Sequence, residues 1–135
     1  VVDDPAWVVE QAVDDYRTRS APELLLKRET LDNAVSRMDA DRTLDLATRA
    51  AKLRSEIIDP FRDLRRDAGA YRPPNNAVRE VHQHCLAGLD LRIEGLDGYA
   101  SAWEKKDESQ LAQAKETLVA SNAEWEAWTK GVLAL

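Results

Sequence analysis

Chemistry has few places to start in this chain. Its two histidines, His82 and His84, and its one cysteine, Cys85, lie within a single stretch of four residues. A Cys–His pair can make a thiolate nucleophile, and a histidine can hold a metal or a haem. The spacing argues against both. His82 falls on an apolar stripe between Val78 and Leu86, whereas His84 points to the flank, so the two imidazoles cannot share an ion on one helix face. Glu80 and His84, at i,i+4, could share one, but the Glu-x-x-His pattern of di-iron bundles does not occur. Cys85 sits on the same buried stripe, where a thiol behaves as a small hydrophobe. There is no Ser-His-Asp order, no glycine-rich phosphate loop and no Cys-x-x-Cys pair. The carboxylates are scattered over polar faces. His82 therefore reads as a structural, hydrogen-bonded histidine, and the chain as a non-enzyme with no catalytic residue, no metal site and no cofactor.

The arginines offer a second kind of chemistry. The chain is acidic, with 19 Lys and Arg against 25 Asp and Glu and a net charge of −6. It lacks the basic footprint of a nucleic-acid binder, so no nucleic-acid partner is expected. The charge is uneven: residues 1–41 carry five basic and ten acidic side chains, residues 42–79 nine and five, residues 80–135 five and ten. The commoner meaning of such a basic middle is charge complementarity from helix to helix. The sharper one is an anion-binding face around Arg62, Arg65, Arg66 and Arg72.

Aromatic residues suggest a third. Four tryptophans are many for 135 residues. If four helices run up and down in turn, Trp7, Trp125 and Trp128 fall at one end, with Phe61, Tyr71 and His82 near them and Trp103 at the other. The plainer reading is an aromatic plug that closes the core. The functional one is a ligand pocket lined by Trp7, Phe61, Tyr71, Trp125 and Trp128, with His82 as its polar contact and Arg65 or Arg72 nearby. Gly88, Gly95 and Gly98 fall inside one helix, where each costs about 1 kcal/mol relative to alanine. Close approach of a neighbouring helix accounts for them; a ligand against bare backbone and a local bend are the alternatives. Together with an exposed Leu91, the Gly88/Gly95 face could also receive a second copy, which keeps a homodimer open.

Those side chains need helices to hold them, and Ala, Leu, Glu, Asp and Arg dominate the composition. Asp4-Pro5 reads as a cap with proline at the first helical position. Ser20-Ala21-Pro22-Glu23 repeats a capping-box pattern and breaks this first helix near Ser20. Asp39 or Asp41 caps the next helix, whose stripe is Leu46, Ala50, Leu53, Ile57, Phe61 and Leu64. Pro60 kinks it near Glu56, a restart capped by Asp59 being the alternative, and Gly69 ends it. After Pro73-Pro74, either Asn75 or Asn76 caps a helix that runs to about residue 106. Asp107 caps the last helix, and so short a join makes these two antiparallel neighbours. The expectation is an all-α single domain over residues 1–135, an up-down-up-down four-helix bundle with its first helix broken near Ser20. No apolar run is long enough to span a membrane, and one cysteine allows no intrachain disulfide.

The second half, roughly residues 70–135, resembles the uncharacterised helical-bundle domains of bacterial envelope proteins and lipoproteins. The resemblance rests on the Pro73-Pro74 turn, His82 eight residues later on an apolar helix, the acidic break at Lys106-Asp107-Glu108, and an Ala-rich helix ending in Trp128. It implies an extracytoplasmic location rather than a cytoplasmic one and carries over no binding residues. It departs at the N-terminus, where Val1-Val2-Asp3-Asp4 holds neither a signal peptide nor a lipidation cysteine; such a start fits a trimmed or matured chain. The function expected is a non-enzymatic binding or scaffold module with a protein or a small ligand as partner. The alternatives are a small-ligand sensory bundle with an aromatic pocket at one end, and a metal- or haem-binding bundle.

Overall fold

Two prolines shape the first half of the chain. A proline inside a helix has no N–H to give, and its ring collides with the carbonyl four residues back. In both cases the turn before the proline is widened rather than broken. The computed structural model describes residues 4–135, so what was expected of Val1, Val2 and Asp3 lies outside the described residues. Helix α1 covers residues 6–40 as Ala6–Asp15, a π turn Tyr16–Ser20, and Ala21–Ala40 with Pro22 in its first turn. Helix α2 covers residues 46–70 as Leu46–Leu53, a π turn Arg54–Ile58, and Asp59–Ala70 with Pro60 in its first turn. Helix α3 is Asn76–Lys105 and α4 is Glu108–Ala134. The molecule is all-α, with no strand among the described residues.

The expected break near Ser20 is an interruption of the α-helix by the π turn Tyr16–Ser20 rather than a capped restart. Ser20 keeps right-handed helical angles and makes no side-chain cap bond. The same holds at Pro60: no cap restarts the helix there, and Glu56 lies within the widened turn. A π turn shifts bonding to the fifth residue on, which relieves the proline without ending the rod.

The caps differ from expectation in places. Pro5 is itself the N-cap residue of α1, with no side-chain bond, rather than the first helical residue after an Asp4 cap. Helix α2 is capped by Asp45, which accepts from the Thr48 amide at 2.7 Å, and not by Asp39 or Asp41. Asp41 instead folds the loop by accepting from Thr43 N at 3.0 Å. Arg49, buried, donates to the Asp41 and Leu44 carbonyls and lies over the Trp103 ring at 5.4 Å. Gly69 does not end α2; the chain leaves at Tyr71, in extended backbone. Asn75 caps α3 through Val78 N at 2.9 Å, and Asp107 caps α4 through Gln110 N at 3.1 Å. Between them Lys106 turns the chain in the left-handed region, φ 53°.

Packing is uneven. Helices α3 and α4 lie closest, because small residues let their backbones meet. A Cβ on Gly95 would sit 2.6 Å from the Leu118 side chain, and one on Gly88 would sit 3.2 Å from the Trp125 ring. On the facing helix, one on Gly131 would meet Val81 at 2.8 Å. The partner number falls along α4 as it rises along α3, so the pair is antiparallel. The Gly88/Gly95 face is thus covered by α4 and is not available to a second copy, contrary to one expectation. Helix α1 approaches α2 but meets α4 chiefly through long side chains. Arg28 lies over the Trp125 ring at 4.6 Å, and Asp32 of α1 accepts from Arg92 of α3 at 2.9 Å.

Candidate functional site

The most constrained polar groups of the molecule meet at Tyr16, the first residue of the α1 π turn. Its side chain is fully buried. A buried hydroxyl must find partners, since an unmet one costs about 1–3 kcal/mol. Tyr16 Oη lies 2.8 Å from His82 Nδ1 on α3 and accepts from Trp128 Nε1 on α4 at 2.9 Å. His82 Nε2 lies 2.7 Å from the Ala68 carbonyl on α2. A carbonyl only accepts, so Nε2 carries the imidazole proton. Nδ1 is then the acceptor, and Tyr16 donates to it. The bonds run one way: Trp128 to Tyr16 to His82 to Ala68. All four helices contribute one member.

Aromatic packing encloses the chain of bonds. The Tyr71 ring sits 5.2 Å from Tyr16 and 5.1 Å from His82, and Trp125 meets Trp128 at 5.4 Å in a T-shaped pair. Burial holds His82 below its ordinary range, which keeps the imidazole neutral, and pushes Tyr16 above its own. Burial also pushes the Cys85 thiol up to about 12, so no thiolate is present at neutral pH.

A recess of about 160 Å³ opens over this cluster between α1 and α2, lined by Tyr16, Ser20, Leu24, Ala68, Tyr71 and His82. Lys27, Leu64 and Asp67 continue from it into a wider groove of about 470 Å³ that also contacts Leu26, Leu31 and Pro60. The floor is apolar and the rim is charged, with Lys27 paired to Glu23 at 3.0 Å.

The expected pocket residues divide. Tyr71 and His82 line the recess, and Trp128 stands behind it. Trp125 lies one layer away, against Gly88 and beneath Arg28, and its buried Nε1 has no partner among the described residues. Phe61 is buried in the core. Trp7 is 66% exposed and belongs to no such cluster, which corrects its assignment. Arg65 is held at the surface by Asp90 at 2.7 Å. Arg72 lines a separate shallow depression with Gly69, Pro73 and Arg79.

The anion-binding face is corrected as well. Arg62 pairs with Asp59 at 3.3 Å, Arg66 with Asp63 at 3.3 Å, and Arg65 with Asp90, which leaves Arg72 without a carboxylate among the described residues. Arg54 of α2 bonds both Asp97 and Glu104 of α3, the first closely and the second at 2.8 Å. The basic middle is thus answered largely by carboxylates of its own helix and of the acidic second half.

Sequence reasoning missed Tyr16 as a member of this candidate site, reading it as one more apolar position. The available signal was its hydroxyl, which cannot be buried on a stripe without a partner. Among the described residues, no group of three His, Cys, Asp or Glu side chains could hold a metal ion, and no helix is long and apolar enough to cross a membrane. The chain matches no family model, no curated protein and no solved structure at a significant level.

Proposed function

We propose that this chain is a non-enzymatic binding module that takes a small amphipathic ligand in the groove between α1 and α2. One observation carries the reading: His82, the buried titratable group beside the groove, has both ring nitrogens bonded to protein partners. With Nε2 protonated and Nδ1 accepting from Tyr16, no lone pair is free for a substrate, a metal or a haem iron while the hydrogen-bond chain is intact. Chemistry there would first have to open the hydrogen-bond chain, whereas binding in the groove would not. The outer groove, at about 470 Å³, falls within the roughly 300–1,000 Å³ of small-molecule sites. Leu26, Leu31, Pro60 and Leu64 suit an apolar body. Ser20 and Tyr71, whose hydroxyls have no partner among the described residues, suit a polar end. These features favour a small ligand over a flat scaffold surface. The underlying architecture is an up-down-up-down bundle, a reading supported by Arg65–Asp90, Arg54–Glu104 and the glycine contacts of α3 with α4. An envelope location is part of the proposal and is tested by cell fractionation.

The groove is tested by NMR titration of the ¹⁵N-labelled chain with 4-phenylbutyrate, phenethylamine and hexanol. We expect saturable shifts concentrated at residues 24–31 and 60–71 with at least one probe. Shifts confined to other surfaces, or none that saturate, would remove the groove as the binding site.

A further inference from the structure

Helix α1 is the least firmly held of the four. Among the described residues its backbone comes closest to α2, and it meets α3 and α4 through side chains, apolar ones such as Leu31 and Val35 as well as hydrogen-bonded ones. Two of its hydrogen bonds to other helices meet at Tyr16, where the π turn already loosens the helical ladder. We propose that the Trp128–Tyr16–His82–Ala68 hydrogen-bond chain is an acid-sensitive latch, and that protonation of His82 releases α1 from the other three helices. The latch does not depend on what the groove binds.

The direction of the bonds makes it sensitive. Protonation turns Nδ1 from acceptor into donor. Two donors, His82 Nδ1–H and Trp128 Nε1–H, then converge on Tyr16 Oη, and the Tyr16 hydroxyl proton loses its acceptor in a buried site. The recess between α1 and α2 reaches both Tyr16 and His82 and gives the proton its path. The titratable and charged groups around the imidazole come from three helices. Helix α1 contributes Tyr16, Glu23 and Lys27, with Asp15 beside Tyr71; α2 contributes Asp67, Tyr71 and Arg65; and Cys85 of α3 lies one helical turn on, near Arg65 and Arg28. Helix α4 contributes the neutral Trp128 indole. Arg65 and Lys27 oppose an imidazolium. Glu23 and Asp67 would attract one that swung into the recess, away from Tyr16, so both signs favour breaking the chain once it is charged. Tyr16, Tyr71 and Cys85 stay neutral throughout, because burial pushes each of them up.

The test is amide hydrogen exchange read by NMR, residue by residue, from about pH 8 to about pH 5. After correction for the intrinsic rate, amides of residues 16–38 should exchange about tenfold faster at the acid end for each unit by which His82 is held down, while residues 78–132 keep their protection. His82→Gln keeps one donor for Ala68 and one acceptor for Tyr16 but does not titrate, so its exchange should stay flat. Uniform acceleration over all four helices, no acceleration, or the same acid response in His82→Gln would overturn the latch. If His82→Gln fails to fold, Tyr16→Phe decides: residues 16–38 should exchange fast at both pH values, and a retained acid response would overturn it.

Discussion

Along α3 and α4, glycine and alanine let two backbones close on each other; around α1, tyrosine, tryptophan and arginine side chains span the gap. The first seam is mostly dispersive, joined by the Ser121 hydroxyl on the Gly88 carbonyl and by the His84–Glu124 contact at its exposed edge. The second is polar, directional and dependent on one proton. Small residues give many weak contacts, so the loss of any one is tolerable. A buried hydrogen-bond chain gives few strong ones, and the loss of one orphans its neighbours. The two halves of the molecule should therefore fail differently.

Trp125 is the side chain that both seams share, lying on Gly88 of α3 and under Arg28 of α1. Trp125→Ala should have the largest effect, about 3–5 kcal/mol of stability, as for other buried aromatic truncations. Urea denaturation measures it, and a loss under about 1 kcal/mol would mean that neither seam needs the indole. Gly95→Leu comes next. It forces a side chain into Leu118 and should cost about 1–3 kcal/mol by overpacking, with the loss independent of pH. A strong pH dependence would blur the distinction between the seams.

Tyr16→Phe probes the polar seam. It removes the partner of His82 Nδ1 and Trp128 Nε1–H beside the recess and should cost about 1–3 kcal/mol in all, the recess letting water reach His82. Limited proteolysis should then cut α1 first. Cleavage starting in α3 or α4 would contradict the ranking of the helices.

Acidity sharpens the same contrast. His82 binds its proton less readily folded than unfolded, so between the two values the unfolded state holds more protons and stability rises with pH. The contribution is full above the ordinary value of 6.5 and is lost as pH falls below it. Asp45, held low by the Thr48 amide, gives up its cap in a more acid range, so two steps are expected. A flat stability curve through the histidine range in the wild type would remove His82 from the account. Trp7→Ser should do least, within about 0.5 kcal/mol, since the indole is exposed.

Helix identity and the ends of α3 and α4 were legible, because a 3.6-residue apolar period and short-range caps are properties of neighbouring residues. Asn75 and Asp107 could be read as caps for that reason. The first helix was read as broken because Ser20-Ala21-Pro22-Glu23 carries every local sign of a start; the π turn absorbs the proline instead, and local signs do not distinguish the two outcomes. Half of the site was legible. His82 announced itself by standing on an apolar stripe, and Tyr71 and Trp128 by sharing its end. Trp7 looked equivalent and is not, since topology places a residue at an end of the molecule but not inside it.

By itself, the sequence determined an all-helical chain, its glycine-lined pair of helices, and the burial of one of its two histidines, since propensity and period act between residues near in sequence. Only the tertiary structure decided that Tyr16, 66 residues away, would be that histidine's partner. It also decided that Ala68 would set the tautomer and that a groove would open above them. Hydrogen-bond direction and cavity shape depend on how four separate helices come to rest against one another, and no local pattern encodes that.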